Sequence, residues 1–286
     1  MTTVLLTGAS GFVGRQVMTA LLARNVNVRL ILRAGREPPR FGSIDAKSII
    51  WSDDVFAQQD EWWDQHLTGI DTIIHCAWYA EPGQYLQSEK NLVCMNGTIR
   101  MATAAARNSV TRFVGIGTCF EYDLDKGFLD IDTPLRPQSI YAGTKAATYL
   151  VLNQLLKLYG VSFSWARLFY LFGEGEDRRR LFPFVHEKLQ GGLEVELTEG
   201  TQIRDYLDVK EAGEQIAQLA LSSHQGPANI CSGTPQTVRQ ICESIADQYG
   251  LRHLLKFGKR PPNITDPPCV VGVRTKPSNH PPNPIH

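Results

Sequence analysis

Tyr141-Ala-Gly-Thr-Lys145 sets a phenol and an amine four residues apart, on one face of the helix expected from about Tyr141 to Tyr159. Side chains so placed meet the same ligand. An ammonium there is expected to lower the phenol's pKa from about 10 and make it a better proton donor. Thr118-Cys-Phe-Glu-Tyr122 follows the expected strand Arg112–Gly117, on a loop at the carboxyl end of the sheet. Ligands of open α/β folds bind at that edge.

A second stretch, Thr7-Gly-Ala-Ser-Gly-Phe-Val-Gly14, must hold whatever that phenol serves. Val4-Leu5-Leu6 before it suits a buried parallel strand. Val13, Val17 and Leu21 after it have helical spacing, with a helix expected over Arg15–Arg24. Strand, glycine turn and helix in this order open a dinucleotide-binding βαβ unit. The glycines let the main chain approach a pyrophosphate, and the helix start offers it unpaired N–H groups. Gly8, Ser10, Gly11, Phe12, Val13 and Gly14 are the candidate phosphate contacts.

The cofactor's identity is read further along. Strand Asn27–Leu32 ends at Arg33, with Arg36 three residues on. An NAD site would place an acid here, about 20 residues past the glycine loop. A guanidinium instead suits a 2′-phosphate, so NADP(H) is expected over NAD(H). Asp53, just past the strand Ser48–Trp51, is a candidate for the adenine amino group. After the strand Thr72–His75, the small residues Cys76 and Ala77 let the chain pass close to the cofactor. Trp78 and Tyr79 are placed to wall a pocket, and His75 reads as a satisfied core histidine.

The chain's 286 residues suffice for a large α/β domain with a smaller lobe. Twenty-nine basic residues balance 29 acidic ones, so charge gives no argument for nucleic acid or an anionic membrane. No apolar run approaches the roughly 20 residues of a membrane span, and no signal peptide is read at the start. The six scattered cysteines suggest reduced thiols in a cytoplasmic protein, and the seven dispersed histidines suggest no metal site.

A long helix is expected over Leu92–Arg107 and a strand over Val161–Phe169. Even alternation then weakens into shorter elements around Pro183, Gly191-Gly192, Gln202–Asp205 and Asn229–Gly233, with helices near 209–222 and 237–249. Eight of the 16 prolines lie from Pro261 onward. The expected fold is α/β: a Rossmann doubly wound parallel sheet with a smaller C-terminal substrate-binding lobe. Residues 1–170 form the dinucleotide domain, with elements of 200–235 returning to it. Residues 171–272 form most of the lobe, and 273–286 an extended or disordered tail.

Thr-Gly-x-x-Gly-x-x-Gly at 7–14, Thr118, Tyr141-x-x-x-Lys145, Arg167-Leu-Phe and Gln202-x-Arg204-Asp205 run in the order of a known family. Over about 1–270 the chain resembles the extended short-chain dehydrogenase/reductases that act on nucleotide sugars. The resemblance implies a catalytic triad of Thr118, Tyr141 and Lys145, with Tyr141 and Lys145 also touching the cofactor. It implies that Arg204 and Arg260 clasp a nucleotide diphosphate. It also implies a homodimer in which the 92–107 helix packs on the Tyr141 helix of a second subunit, through Leu150, Val151, Gln154 and Leu158.

Departures refine this expectation. Family dehydratases carry an Asp-Glu pair where this chain has Cys119-Phe120, so elimination of a hydroxyl lacks its acid and base. Cys94 stands where the family has an Asn before Gly97-Thr98, and Tyr170 replaces a substrate-contacting Asn. Trp78–Gly83, Gly117–Asp123 and Asp266–Gly272 resemble the subgroup that includes CDP-abequose synthase and dTDP-6-deoxy-L-talose dehydrogenase. The substrate residues implied are Trp78, Thr118, Cys119, Tyr170, Arg204 and Arg260. The implied activity is reversible reduction of the C4 ketone of a 4-keto-6-deoxyhexose nucleotide, in deoxysugar and surface-polysaccharide synthesis. The alternatives are an NAD-dependent 4-epimerase and a non-catalytic NADP-binding redox sensor.

Overall fold

The computed structural model describes residues 2–35, 45–263 and 266–277. Arg36, the Pro38-Pro39 break and the tail beyond 277 lie outside the described residues. The centre is a seven-stranded parallel sheet. Its first five strands are β1 (Thr3–Thr7), β2 (Asn27–Arg33), β3 (Ile49–Ser52), β4 (Thr72–His75) and β5 (Arg112–Thr118). Across the sheet the order is Gly226–Ile230, Ser162–Leu168, β5, β4, β1, β2, β3. The strand order reverses between β1 and β4, which opens a crevice at their carboxyl ends.

β1 is buried along its whole length, because helices cover both faces of the sheet. On one face α1 (Phe12–Leu22) packs beside α6 (Val209–Leu221), joining Val17 and Leu21 to Val4 and Leu6. On the other, α2 (Asp60–Leu67), α3 (Lys90–Arg107) and α4 (Ile140–Leu158) bury Trp63, Met101 and Leu152 over Leu5 and Ile73. The smaller lobe centres on α5 (Leu181–Gln190) and α7 (Val238–Asp247), which share Val185, Leu189, Ile241 and Ile245.

Two helices escaped the sequence reading. α5 contains Pro183, a breaker that falls in the first turn, where its missing N–H loses no helical bond. α2 is only eight residues long, and its buried contacts reduce to Trp63 and Leu67 at i, i+4. α1 starts at Phe12, three residues before the expected Arg15, so its first turn runs directly out of the glycine loop.

The chain shuttles between sheet and lobe. A four-stranded sheet joins Gln236–Thr237, Ile203–Arg204, Cys269–Gly272 and Phe128–Leu129, from four distant parts of the sequence. Residues 273–275 then run beside Leu129 and Asn229. The Val273 amide donates to the Leu129 carbonyl, and the Thr275 hydroxyl accepts from the Asn229 amide at 3.0 Å.

Candidate active site

A cleft of about 840 Å³ opens at the carboxyl ends of β1, β4 and β5. The glycine loop forms one wall. Gly8 has φ +73°, and a Cβ on it would sit 2.6 Å from the Ala77 nitrogen. A Cβ on Gly14 would sit 2.1 Å from the Gly8 carbonyl oxygen. Both glycines are therefore fixed by close main-chain approaches. The cap residue of α1 is Gly11, with no side-chain cap bond and no acid in the first turn. The amides at this helix start remain available to an anion. Arg15 adds a cation there, with its Nη1 3.6 Å from a Cβ built on Gly175 of the facing wall and its buried Nε without a partner. A free helix start, an unpaired guanidinium nitrogen and a bare main chain fit a dinucleotide pyrophosphate.

The opposite wall carries the reactive groups. β5 ends at Thr118, where the strand turns into a single 3-10 turn, Cys119–Glu121. α4 begins at Ser139, whose hydroxyl accepts from the Ala142 amide, so Tyr141 and Lys145 occupy its first two turns. Thr118 and Tyr141 both line the cleft, and the Thr118 hydroxyl acts on the Tyr141 phenol. Lys145 is 3% exposed and donates to the Ile116 carbonyl at 2.6 Å, while its Nζ lies 3.6 Å from the centre of the Trp78 ring. The Trp78 indole donates to Asn91 Oδ1 at 2.8 Å, and Asn91 is itself anchored to the Tyr85 and Ser88 carbonyls.

Burial decides the electrostatics. It pulls the Lys145 ammonium down to about 7, against upward pulls from Glu121, Cys94 and Cys76. It pushes the Tyr141 phenol well above its ordinary value, with Tyr85, Glu121 and Cys119 adding to the rise and the Thr118 hydroxyl opposing it. The expected lowering of Tyr141 by Lys145 is thus corrected: desolvation raises the phenol, and the contribution that opposes it comes from Thr118. His75 is the satisfied core histidine expected, bonded to the Thr7 and Thr98 hydroxyls at 2.8 and 2.9 Å and held neutral down to about pH 3 by burial.

Gly8, Gly11, Phe12, Val13, Gly14, Cys76, Trp78, Thr118, Cys119, Tyr141, Lys145 and Tyr170 all line this cleft. Ser10, Ala77, Arg33, Asp53, Arg204 and Arg260 lie outside the wall among the described residues. Ala77 donates its amide to the Thr7 hydroxyl at 3.2 Å. Arg33 and Asp53 are exposed at the ends of β2 and β3. Arg204 is buried, with Nη2 2.7 Å from Asp266 Oδ1 but without hydrogen-bond alignment. Arg260 is exposed and rests 4.9 Å from the Phe184 ring centre. The pair expected to clasp a diphosphate is thus not gathered into the cleft.

The wall residues that were missed include Tyr85, Phe120, Glu176, Arg179 and Arg180. Tyr85 stands edge-on to Tyr141, with ring centres 4.8 Å apart, because the 3-10 turn Tyr85–Gln87 packs on α4. The three successive arginines at 178–180 were the one visible signal for the other side. Among the described residues no helix is long and apolar enough to cross a membrane, and no group of three His, Cys, Asp or Glu could hold a metal.

Residues 4–231 match the profile of the NAD dependent epimerase/dehydratase family. The chain belongs to that family. It is an NAD(P)-dependent oxidoreductase of the type that acts on nucleotide sugars. It is 25% identical over 95% of its length to dTDP-6-deoxy-L-talose 4-dehydrogenase (NAD(+)) of Aggregatibacter actinomycetemcomitans, covering 99% of that protein. It is 27% identical to dTDP-glucose 4,6-dehydratase of Streptomyces griseus, over 87% of this chain and 80% of that one. UDP-glucose 4-epimerase of Thermotoga maritima superposes with a TM-score of 0.80 at 17% identity, over 96% of this chain and 90% of that one. That last likeness concerns the fold.

Proposed function

We propose that the protein reduces, reversibly, the C4 ketone of a nucleotide-linked 4-keto-6-deoxyhexose, with NADPH preferred. The observation that carries this reading is a cleft in which the glycine loop faces Thr118, Tyr141 and Lys145 while Cys119 and Phe120, beside Thr118, present no carboxylate; Glu176 and Asp177 enter it from the segment that holds Gly175. The likeness to the talose 4-dehydrogenase over nearly its full length supports the same chemistry. Dehydratase relatives are equally present, but elimination needs an acid and a base. The loop's one carboxylate, Glu121, is fully buried and ion-paired with Arg167 at 2.7 Å.

The free main-chain N–H groups at the start of α1 would hold the pyrophosphate, which Gly8, Gly11 and Gly14 let approach closely, Arg15 would add a cation, and Arg33 would pair with a 2′-phosphate. When bound, the cofactor supplies a hydride to C4. Tyr141 gives its hydroxyl proton to the ketone oxygen, and Thr118 hydrogen-bonds that oxygen and orients it. Lys145 would hold the nicotinamide ribose, and its ammonium would steady the phenolate that Tyr141 becomes until a proton returns to it from solvent. Trp78 and Tyr170 wall the sugar side. Arg179 and Arg180 are arginines that line the cleft, while Arg204 would have to exchange Asp266 for a phosphate to act as expected.

The test is incubation with NADPH and a panel of 4-keto-6-deoxy nucleotide sugars, with product configuration read by NMR. Failure to reduce any of them overturns the reading. Protein that purifies with stoichiometric, non-exchanging NAD would favour a 4-epimerase, the activity named for the Thermotoga protein. A homodimer through α3 and α4 belongs to the same proposal. Leu92, Val93, Leu150 and Val151 leave an exposed apolar surface on those helices, and sedimentation as a monomer at micromolar concentration would overturn it.

A further inference from the structure

We propose that Glu121 is a positioning residue for the reaction: its carboxylate locks the Thr118 main chain and stands as the anion that balances Lys145. The proposal rests on reading Thr118, Tyr141 and Lys145 as the reacting set.

Glu121 is the last residue of the 3-10 turn that follows β5, and it is 0% exposed. Oε1 accepts from the Thr118 amide at 2.8 Å, closing a capping box in which the Thr118 hydroxyl accepts from the Phe120 amide. Both oxygens accept from Trp165 Nε1, at 3.0 and 3.1 Å, and Oε2 accepts from Arg167 Nε at 2.7 Å. Arg167 in turn donates to the Tyr122 hydroxyl at 2.9 Å, which donates to Asn229 Oδ1 at 2.7 Å. Asn229 closes the chain on the Leu129 and Val273 carbonyls. Thr118 is thereby tied through buried polar groups to the outermost strand of the sheet.

Two observations point to a task beyond holding the fold. A buried ion pair is weak evidence of stabilisation, since an apolar pair of similar volume often serves as well. An apolar pair could neither accept from the Thr118 amide nor supply negative charge. The chain has also cleared room for the carboxylate: a Cβ on Gly117 would lie 2.5 Å from Glu121 Oε1 and 2.2 Å from Trp165 Nε1. The groups acting on Lys145 are Cys76 after β4, Cys94 on α3, Glu121 on the 3-10 turn, and the Trp78 and Trp165 rings. Of these, Glu121 is first among those pulling the ammonium upward, against its burial.

The experiment compares wild type with Glu121→Gln, and with Glu121→Gln/Arg167→Met, which leaves no unpaired buried guanidinium. In ligand-free protein, the pH dependence of Lys145 acetylation is followed by peptide mass spectrometry. Its midpoint is expected to fall by about one pH unit in both variants. With NADPH and dTDP-4-keto-6-deoxyglucose, kcat is expected to fall about 10²-fold with KM within about threefold. Glu121→Asp should restore the Lys145 midpoint without restoring kcat, because its shorter arm cannot reach the Thr118 amide.

An unmoved Lys145 midpoint in the double variant, folded by circular dichroism, overturns the proposal. So does unchanged kcat in an assay where Tyr141→Phe abolishes turnover. Should Tyr141→Phe and Thr118→Ala leave turnover intact, it is the reductase reading that falls, and the acetylation midpoint still reports on Glu121.

Discussion

The two walls of the cleft are built from different materials. The glycine wall is main chain: Gly8 against Ala77, Gly14 against Gly8, and a helix start without a side-chain cap. It contributes N–H groups and excluded volume, and no stretch from Gly8 to Gly14 carries a titratable side chain. The opposite wall is side chain and charge: Lys145 at 3% exposure and Tyr141 raised by burial, backed by Glu121 at 0% and Arg167 at 1%. The first wall should fail when it is crowded, the second when its charges or hydroxyls change.

Tyr141→Phe presents the largest expected effect and the cleanest separation. Loss of a placed proton donor should lower kcat by 10²–10⁴-fold, about 3–5 kcal/mol of barrier, while NADPH affinity measured by fluorescence stays within threefold. Comparable loss of cofactor binding would mean that the two walls are not separable.

Gly14→Ala attacks the other wall. A methyl group 2.1 Å from a carbonyl oxygen must displace main chain, at a cost of about 3 kcal/mol in folding stability. NADPH titration and thermal melts should show both lost affinity and a lowered Tm, whereas Gly143→Ala, with open space at its Cβ inside α4, should leave affinity unchanged and raise Tm slightly.

His75 gives a pH test between the walls. Folded, it stays neutral to about pH 3; unfolded, it takes a proton near 6.5. Below 6.5 the unfolded state therefore binds more protons, and stability falls as pH falls. Denaturant melts at pH 7 and 5 should show His75→Asn losing about 2 kcal/mol less than wild type over that interval.

Arg33→Ala is the smallest effect. NADPH affinity should fall about tenfold, roughly 1.4 kcal/mol, with NADH affinity unchanged. Equal losses for both cofactors would remove the 2′-phosphate assignment. The relative whose name specifies NAD(+) makes this a discriminating measurement.

Much of the glycine wall was legible because its constraint is local. Val4–Leu6, the glycines and Val13, Val17 and Leu21 lie within one strand–turn–helix unit, where spacing alone states the geometry. Tyr141 and Lys145 were legible for the same reason, being one helical turn apart. The polar support of the second wall was not. Asn91 reaches Trp78 from 13 positions away, Arg167 reaches Glu121 from 46, and Asn229 reaches Tyr122 from 107. Spacing carries no signal for such pairs.

The sequence by itself determined an α/β dinucleotide fold and the short motifs of its cleft, since hydrophobic period and turn chemistry act over a few residues. Tertiary structure alone decided which groups are charged, paired or withdrawn. It set Trp78 over Lys145, closed Asp266 on Arg204, and made Glu121, rather than Cys119 or Phe120, the carboxylate behind Thr118. Those outcomes depend on burial and on partners brought from distant strands, because desolvation and ion pairing are properties of an enclosed volume.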